Sequence, residues 1–330
     1  MSLASPASAQ QLSLRIPYAG YPADQRLALG GEAVVPPEEA AMDEAIRAEV
    51  LRVRKTQDYV PRPAIWKIAD ADTTIYLFGT IHSLPYGFRW RNPELEAVIA
   101  QADLLLLESL ADENAEVDFA QGATRDGSDL PPLLDRVSHR YRGQLAALQR
   151  SLPDEMVARL DAMPTWLAAI GIGTLRDMES GEIETLGADD WLERHFNAVG
   201  RPVAAIEDSQ QVVVNLNGVS ERAQRRMLEA ALAAPVQPLA TLEMPAHAWA
   251  RGEVGPDSPL IIQSDGLDQS FALATPLLDD RNLAWTEDLI QRLDESSGVI
   301  LFAAGASHFV GRGSVIELLE ARGITVERVQ

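Results

Sequence analysis

Among 330 residues there are five histidines, and two of them share one local setting. Tyr76-Leu77-Phe78-Gly79-Thr80-Ile81-His82 and Leu301-Phe302-Ala303-Ala304-Gly305-Ala306-Ser307-His308 both read as an apolar strand, a tight glycine turn and a histidine three residues after the glycine. An imidazole in that place can exchange a proton near neutral pH or bind a metal through a ring nitrogen. Two acidic residues stand in a similar place: Glu108 follows four leucines, 104–107, and Glu207 follows Ala204-Ala205-Ile206. A glutamate closing an otherwise apolar strand is out of place for packing alone. If these strands are parallel neighbours, two imidazoles and one or two carboxylates converge at the carboxyl ends of the strands, where open α/β sheets bind their ligands. Such a set can hold a first-row divalent cation with an open position, or work without metal as a general base held by a carboxylate. Singly, each residue reads as a satisfied core histidine or a strand-end carboxylate capping the next helix; convergence is what turns the set into a site. There is no cysteine, so thiolate metal sites, thiol nucleophiles and disulfides are excluded together. Any metal must sit on His, Asp or Glu; in the converging set the ligands would be His82, Glu108 and His308, with Glu207 an optional further one, and Mn²⁺, Co²⁺, Fe²⁺ and Zn²⁺ all fit such donors.

The other candidates read more plainly. His139, His195 and His247 lie in helical or proline-broken segments without a glycine turn, which suits surface or helix-packing roles. Glu182 and Glu184 look like parts of a solvated turn, and Asp189-Asp190 ahead of Trp191-Leu192 reads as a helix N-terminus. No Gly-x-Ser-x-Gly elbow and no phosphate-cradling loop occurs.

The elements that would position the set are legible around it. Two β-type runs, 65–68 and 74–78, flank the turn residues 69–72 and predict a hairpin whose second strand ends at Gly79. Asn92 with Pro93 opens a helix, 103–109 is a buried strand, and 202–206 is a strand ending at Glu207. Near the end, a helix over 282–293 precedes a buried strand over 299–304. Ser314 and Glu317 then form a capping box for a helix over 315–322, and a last strand covers 324–329. The result is an α/β fold: a central mixed, partly parallel sheet built from both ends of the chain, with a mostly helical middle inserted over about 130–275. Residues 1–60 read as an N-terminal arm, partly flexible, rich in Pro, Gly and Ala and weakly helical over 38–54.

Composition narrows the function. With 46% hydrophobic residues the chain can fill a substantial core. A formal charge of −21 opposes nucleic acid and anionic membrane surfaces as partners. No apolar run approaches the length that spans a bilayer, so membrane insertion is not expected. Ala7-Ser8-Ala9 has the small-x-small form that precedes signal-peptidase cleavage, without the basic and apolar regions of a signal peptide upstream; it suggests a periplasmic or secreted protein whose signal peptide has been removed, the alternative being a flexible Ala/Ser/Pro tail.

Several of these stretches together resemble a known family. Trp66-Lys67-Ile68, Gly79-Thr80-Ile81-His82, Ala102-Asp103 through Glu108, Gly200-Arg201-Pro202-Val203 with Ile206-Glu207, Arg281-Asn282-Leu283-Ala284-Trp285, and Gly305 through Gly311 occur in the order of the TraB/GumN family. The resemblance covers about residues 64–330, and the paired Gly-x-x-His motifs are its most specific part. It implies a fold like that of the erythromycin esterases and ChaN-like proteins, with kinship to the Tiki metalloproteases and pheromone-shutdown proteins. It also implies a site at His82, Glu108, Arg281 and His308, the arginine orienting a carboxylate or holding an oxyanion. Phe309 after the second histidine and Asp208 after Glu207 depart from the usual pattern, which bears on packing rather than chemistry. The function expected is a metal-dependent hydrolase of the peptidase or esterase type, acting on a peptide or small ester. The alternative is a non-catalytic periplasmic protein that sequesters a peptide, haem or metal.

Overall fold

A computed structural model of the chain describes residues 37–110, 130–178, 184–261 and 278–330. The first 36 residues, with Ala7-Ser8-Ala9 and most of the expected arm, lie outside the described residues, as does Glu182. The described chain begins with helix α1 (Pro37–Thr56), followed by β1 (Ile65–Ala69), β2 (Thr73–Thr80) and β3 (Ser83–Pro85). Helix α2 (Pro93–Gln101) leads into β4 (Leu104–Leu107). The middle holds α3 (Leu133–Arg136), α4 (His139–Ser151), α5 (Asp154–Ala162), α6 (Thr165–Met178), β5 (Glu184–Leu186), α7 (Ala188–Ala198), β6 (Val203–Ala205), α8 (Ser209–Asn217), α9 (Glu221–Ala233), α10 (Leu239–Leu242) and α11 (Met244–Ala250). Helix α12 (Asp280–Glu295), β7 (Gly298–Gly305), a 3₁₀ turn (Ala306–His308), α13 (Val315–Ala321) and β8 (Glu327–Arg328) complete it.

Six strands form one mixed sheet in the order β6-β4-β7-β2-β1-β8. The four strands β6, β4, β7 and β2 run parallel, and β1 and β8 are antiparallel additions at one edge. Side chains alternate across the sheet as the pleat requires. Phe78, Leu105, Leu107, Leu301 and Ala303 face a cluster with Leu95, Val98 and Ile99 of α2, Leu192 and Phe196 of α7, and Trp249 of α11. Ile75, Leu77, Leu106, Ile300 and Phe302 face the other way, onto Trp285, Leu289 and Leu293 of α12 and Val315 and Leu319 of α13. The helical middle has its own core around Leu145, Leu160, Trp166, Ile172, Met227 and Leu228. No helix of the described residues is long and apolar enough to cross a membrane.

The expected α/β class, the mixed sheet built from both ends of the chain and the helical middle are all present. Asn92 caps α2 by accepting from Leu95 N–H at 2.8 Å. Ser314 caps α13 at 3.3 Å, while the Glu317 carboxylate bonds Gly313 N–H at 2.6 Å rather than the cap residue itself. Three local expectations are corrected. Strand β2 runs through Gly79 to Thr80, because the parallel ladder with β7 holds it as far as Thr80 opposite Gly305. Glu184 lies in a strand rather than a turn: β5 pairs antiparallel with β3 immediately after His82. The last strand contracts to two residues, since β1 offers β8 a register of only two pairs.

Candidate functional site

The parallel order of β6, β4, β7 and β2 sets Glu207, Glu108, His308 and His82 side by side, one at or just beyond the carboxyl end of each strand. Ladder-type contacts continue past β4 and β6, Ile206 N–H donating to Leu107 C=O at 2.8 Å and Glu207 N–H to Glu108 C=O at 3.2 Å. Arg281 enters from the first turn of α12, whose residues 282, 285, 286, 289 and 293 form the buried stripe against the sheet. All four residues that the resemblance pointed to therefore come together, and Glu207 joins them.

Arg281 sits between the two carboxylates. Its Nη2–H donates to Glu108 Oε2 at 2.6 Å, and Nε–H and Nη2–H grip both oxygens of Glu207, the Nε contact at 2.9 Å. Trp285 Nε1–H adds a bond to Glu207 Oε2 at 3.1 Å, and the guanidinium lies over the Trp285 ring. Burial pushes the Glu207 carboxyl above its ordinary range, opposed by the Arg281 hydrogen bond. Burial works in the same direction on Glu108, but the neighbouring His308, Arg281 and His82 charges and the Gly305 N–H, donated at 2.5 Å, outweigh it and hold the acid at about 2. Both glutamates are thus fixed by one guanidinium whose own pKa is raised, burial being outweighed by its two carboxylate partners.

The two histidines share a motif and differ in environment. His82 is two-thirds exposed, and its Nδ1 lies 2.9 Å from Asp189 Oδ2. The Asp189 carboxylate raises its pKa, to about 10, outweighing desolvation, which acts in the opposite direction. His308 is 4% exposed and Nδ1 lies 2.6 Å from Asn282 Oδ1. Asn282 Nδ2–H donates to Gly313 C=O at 2.9 Å, so its Oδ1 is left to accept the His308 Nδ1 proton and the Nε2 lone pair turns inward. That nitrogen is 3.4 Å from Arg281 Nη1 and 3.9 Å from Glu108 Oε1. Burial drives the His308 pKa down to about 4, Glu108 notwithstanding.

Neither motif glycine is needed for an unusual turn, because no φ at Gly79 or Gly305 is positive and Gly305 has φ −51° and ψ 134°. Both are there for close approach. A Cβ on Gly79 would lie 3.0 Å from Ala306 Cα, so this glycine lets the two motifs pack on each other. Trp249 Nε1–H then fixes the Gly79 carbonyl at 2.7 Å. A Cβ on Gly305 would point at the site itself, 3.2 Å from Glu108 Oε1, 3.4 Å from His82 Nε2 and 3.8 Å from His308 Cδ2.

Three participants escape sequence reasoning. Asp189 does lie in the first turn of α7, and it also holds His82. A third glycine explains how: a Cβ on Gly187 would fall 1.9 Å from Ile81 O, so only glycine lets α7 approach until Ala188 N–H bonds that carbonyl at 2.9 Å. Asn282 and Trp285 sit in a stretch that resembles the family, and their partners are set only by the docking of α12. His139 opens α4 at the surface, His195 stacks on Trp191, and His247 bonds Tyr59.

A family model, that of the TraB/PrgY/gumN family, matches residues 64–328, from just before β1 to the end of β8. The chain belongs to this family. No curated protein and no solved structure matches it. The TraB/PrgY/gumN match spans every strand that carries a site residue and leaves α1 outside. Among the described residues, no group of three or more His, Asp or Glu side chains is arranged to hold a metal ion. Arg281 places a positive charge between Glu108 and Glu207 and is bonded to both.

Proposed function

We propose that the protein is a hydrolase of peptide or ester bonds that works by histidine acid–base chemistry. What carries this reading is the opposed setting of two histidines over one carboxylate: His82 backed by the Asp189 carboxylate, His308 by the Asn282 amide. Pairs of groups pushed apart in this way divide the roles of acid and base. Near neutral pH, His82 is the proton donor and His308 the uncharged acceptor. Water attacks the carbonyl carbon and forms the new C–O bond, and its proton passes to His308 Nε2. The C–N or C–O bond of the tetrahedral intermediate then breaks, and His82 protonates the departing amine or alkoxide. Proton exchange with solvent restores both rings. Glu108 holds the water, and the buried Arg281 charge offsets the negative charge that develops on the carbonyl oxygen.

The test is turnover of 4-nitrophenyl esters and internally quenched peptides by wild type, His82→Ala and Glu108→Gln. Loss of about 10²- to 10⁴-fold in the variants, with the fold intact, is the expected result. A wild type that retains a peptide, haem or metal and turns nothing over would replace this reading with the sequestering role. A metal-assisted form has one observation in its favour, His82 Nε2 and Glu108 Oε1 facing a common space. Calorimetric titration of chelator-treated protein with Mn²⁺, Co²⁺ and Zn²⁺ decides it. Stoichiometric binding lost in His82→Ala/His308→Ala supports that form, and absence of binding leaves the metal-free route.

A further inference from the structure

The formal charge of −21 is a sum over the chain, and one stretch runs against it. From Arg47 to Arg62 there are five basic residues and two acidic ones, and one of the acids, Glu49, is buried against Arg52. Helix α1 fixes which of these side chains face outward. Its inner face is anchored: Val53 is part of the core, Arg52 bridges Glu49 and Glu243, and just past the helix end the Gln57 side chain holds the Arg89 backbone by bonds of 2.7 and 2.8 Å. On the outer face Arg47, Leu51, Arg54 and Lys55 fall at i, i+4, i+7 and i+8, one stripe of a helix, and all four are exposed. Val60 and Arg62, in the link to β1, are exposed as well.

Basic residues in a last turn complement the partial negative charge of a helix C-terminus, and this accounts for Arg54 and Lys55 taken singly. It does not account for the apolar side chains among them. Leu51 is 59% exposed and Val60 74%, the latter more than any other large apolar side chain among the described residues. Around Leu51 the outer face offers Arg47, Ala48, Arg54 and Lys55 and no second large apolar residue with which to build a groove. A rigid protein partner would have to bring a pocket for one leucine. Lipid headgroups need none, because an exposed leucine enters the boundary with the acyl chains while long basic stems reach the phosphate oxygens. The net charge opposes an anionic surface for the molecule as a whole, and it also orients it: repulsion of the acidic body leaves the basic face as the one that can approach. We infer that the outer face of α1, with the link that follows it, is a docking surface for an anionic lipid membrane. Docking is peripheral, in keeping with the lack of a membrane-crossing helix among the described residues. The face precedes residues 64–328, so it lies outside the family match, and it is independent of the hydrolytic reading.

The experiment is cosedimentation of the full chain with vesicles of phosphatidylcholine alone and of equal parts phosphatidylcholine and phosphatidylglycerol. It is run at low ionic strength and at about 0.15 M salt, where exposed charges are screened beyond about 8 Å. Binding to the anionic vesicles only, weaker in the higher salt, is the expected result. Each basic residue near such a surface contributes about fivefold in binding, so Arg54→Gln/Lys55→Gln should lose about 30-fold. Leu51→Ser should lose less, and by the same factor at both salt concentrations. Arg140→Gln/Arg150→Gln, exposed on α4, should bind like wild type. All these positions are at the surface, and circular dichroism checks that each variant keeps its helices. No sedimentation with anionic vesicles at low salt would overturn the inference, and so would equal binding to phosphatidylcholine alone. An α1 double variant that binds like wild type, or an α4 variant that loses as much as the α1 variant, would overturn it too. Binding to polyglutamate without binding to vesicles would give the face to an acidic protein instead.

Discussion

Asp189 and Asn282 each present an oxygen to an imidazole Nδ1, one from a carboxylate and one from an amide, and this separates two histidines that the sequence makes look alike. The separation has a sign. The base form of His308 is lost as pH falls through about 4, and the acid form of His82 is lost as pH rises toward about 10. A plot of kcat/KM against pH is expected to be a broad bell. Asp189→Asn should bring its alkaline limb down toward the ordinary histidine range, and Asn282→Asp should raise its acid limb. Limbs that stay in place in both variants would remove the histidines from the rate law. Arg281 has a different signature, because it is bonded to two carboxylates that are 17% and 14% exposed. Arg281→Met leaves both without their cation, and urea denaturation at neutral pH should show a loss of about 3–5 kcal/mol. Adding Glu207→Gln should recover part of it.

The site exists because whole elements dock at fixed heights. Helix α7 reaches the His82 turn only because Gly187 lets two backbones touch. Gly187→Ala should push the helix away, break the contact between Asp189 and His82, and reproduce the pH profile of Asp189→Asn. A profile like that of wild type would show that α7 tolerates the methyl group. Helix α12 carries Arg281, Asn282 and Trp285 on one end of a stripe whose other end, Leu289 and Leu293, is core. Trp285 is 2% exposed, edge-on to Phe302 and bonded to Glu207. Trp285→Ala should cost about 3–5 kcal/mol by the same urea assay, more than an aromatic at the rim would. Helix α1 is tied to α11 and its flank through Arg52, which bridges the buried Glu49 and Glu243. This contact joins α1, which lies outside the family match, to Glu243 inside it.

For the molecule as a whole, His308 and Glu108 contribute to acid stability with the same sign, and the raised Glu207 carboxyl opposes them. The unfolded chain protonates histidine from 6.5 downward, whereas folded His308 holds out to about 4. It likewise protonates glutamate from 4.5 downward, whereas Glu108 holds out to about 2. In both intervals the unfolded state binds more protons, so stability falls as pH falls, first between about 6.5 and 4 and then between about 4.5 and 2. Urea midpoints measured across that range should decline in two overlapping stages, and His308→Gln should abolish the first. A midpoint that is flat from 6.5 to 4 in the wild type would mean that His308 titrates as an exposed histidine. Much of this architecture was legible in the chain. Apolar runs closed by Gly-x-x-His or by Glu marked the strand ends, and Asn92 and Ser314 marked helix starts, since these signals depend on neighbours in sequence. What the chain could not state was which strands lie side by side. The order β6-β4-β7-β2 gathers residues 82, 108, 207 and 308 into one row, and it follows from packing two sheet faces against helices far apart in sequence. Asp189 read as a helix start because its partner lies 107 residues away. The motif glycines read as turns because a backbone able to bend and a backbone approached closely by another group carry the same residue. Only the tertiary structure, which sets the neighbour, decides between them.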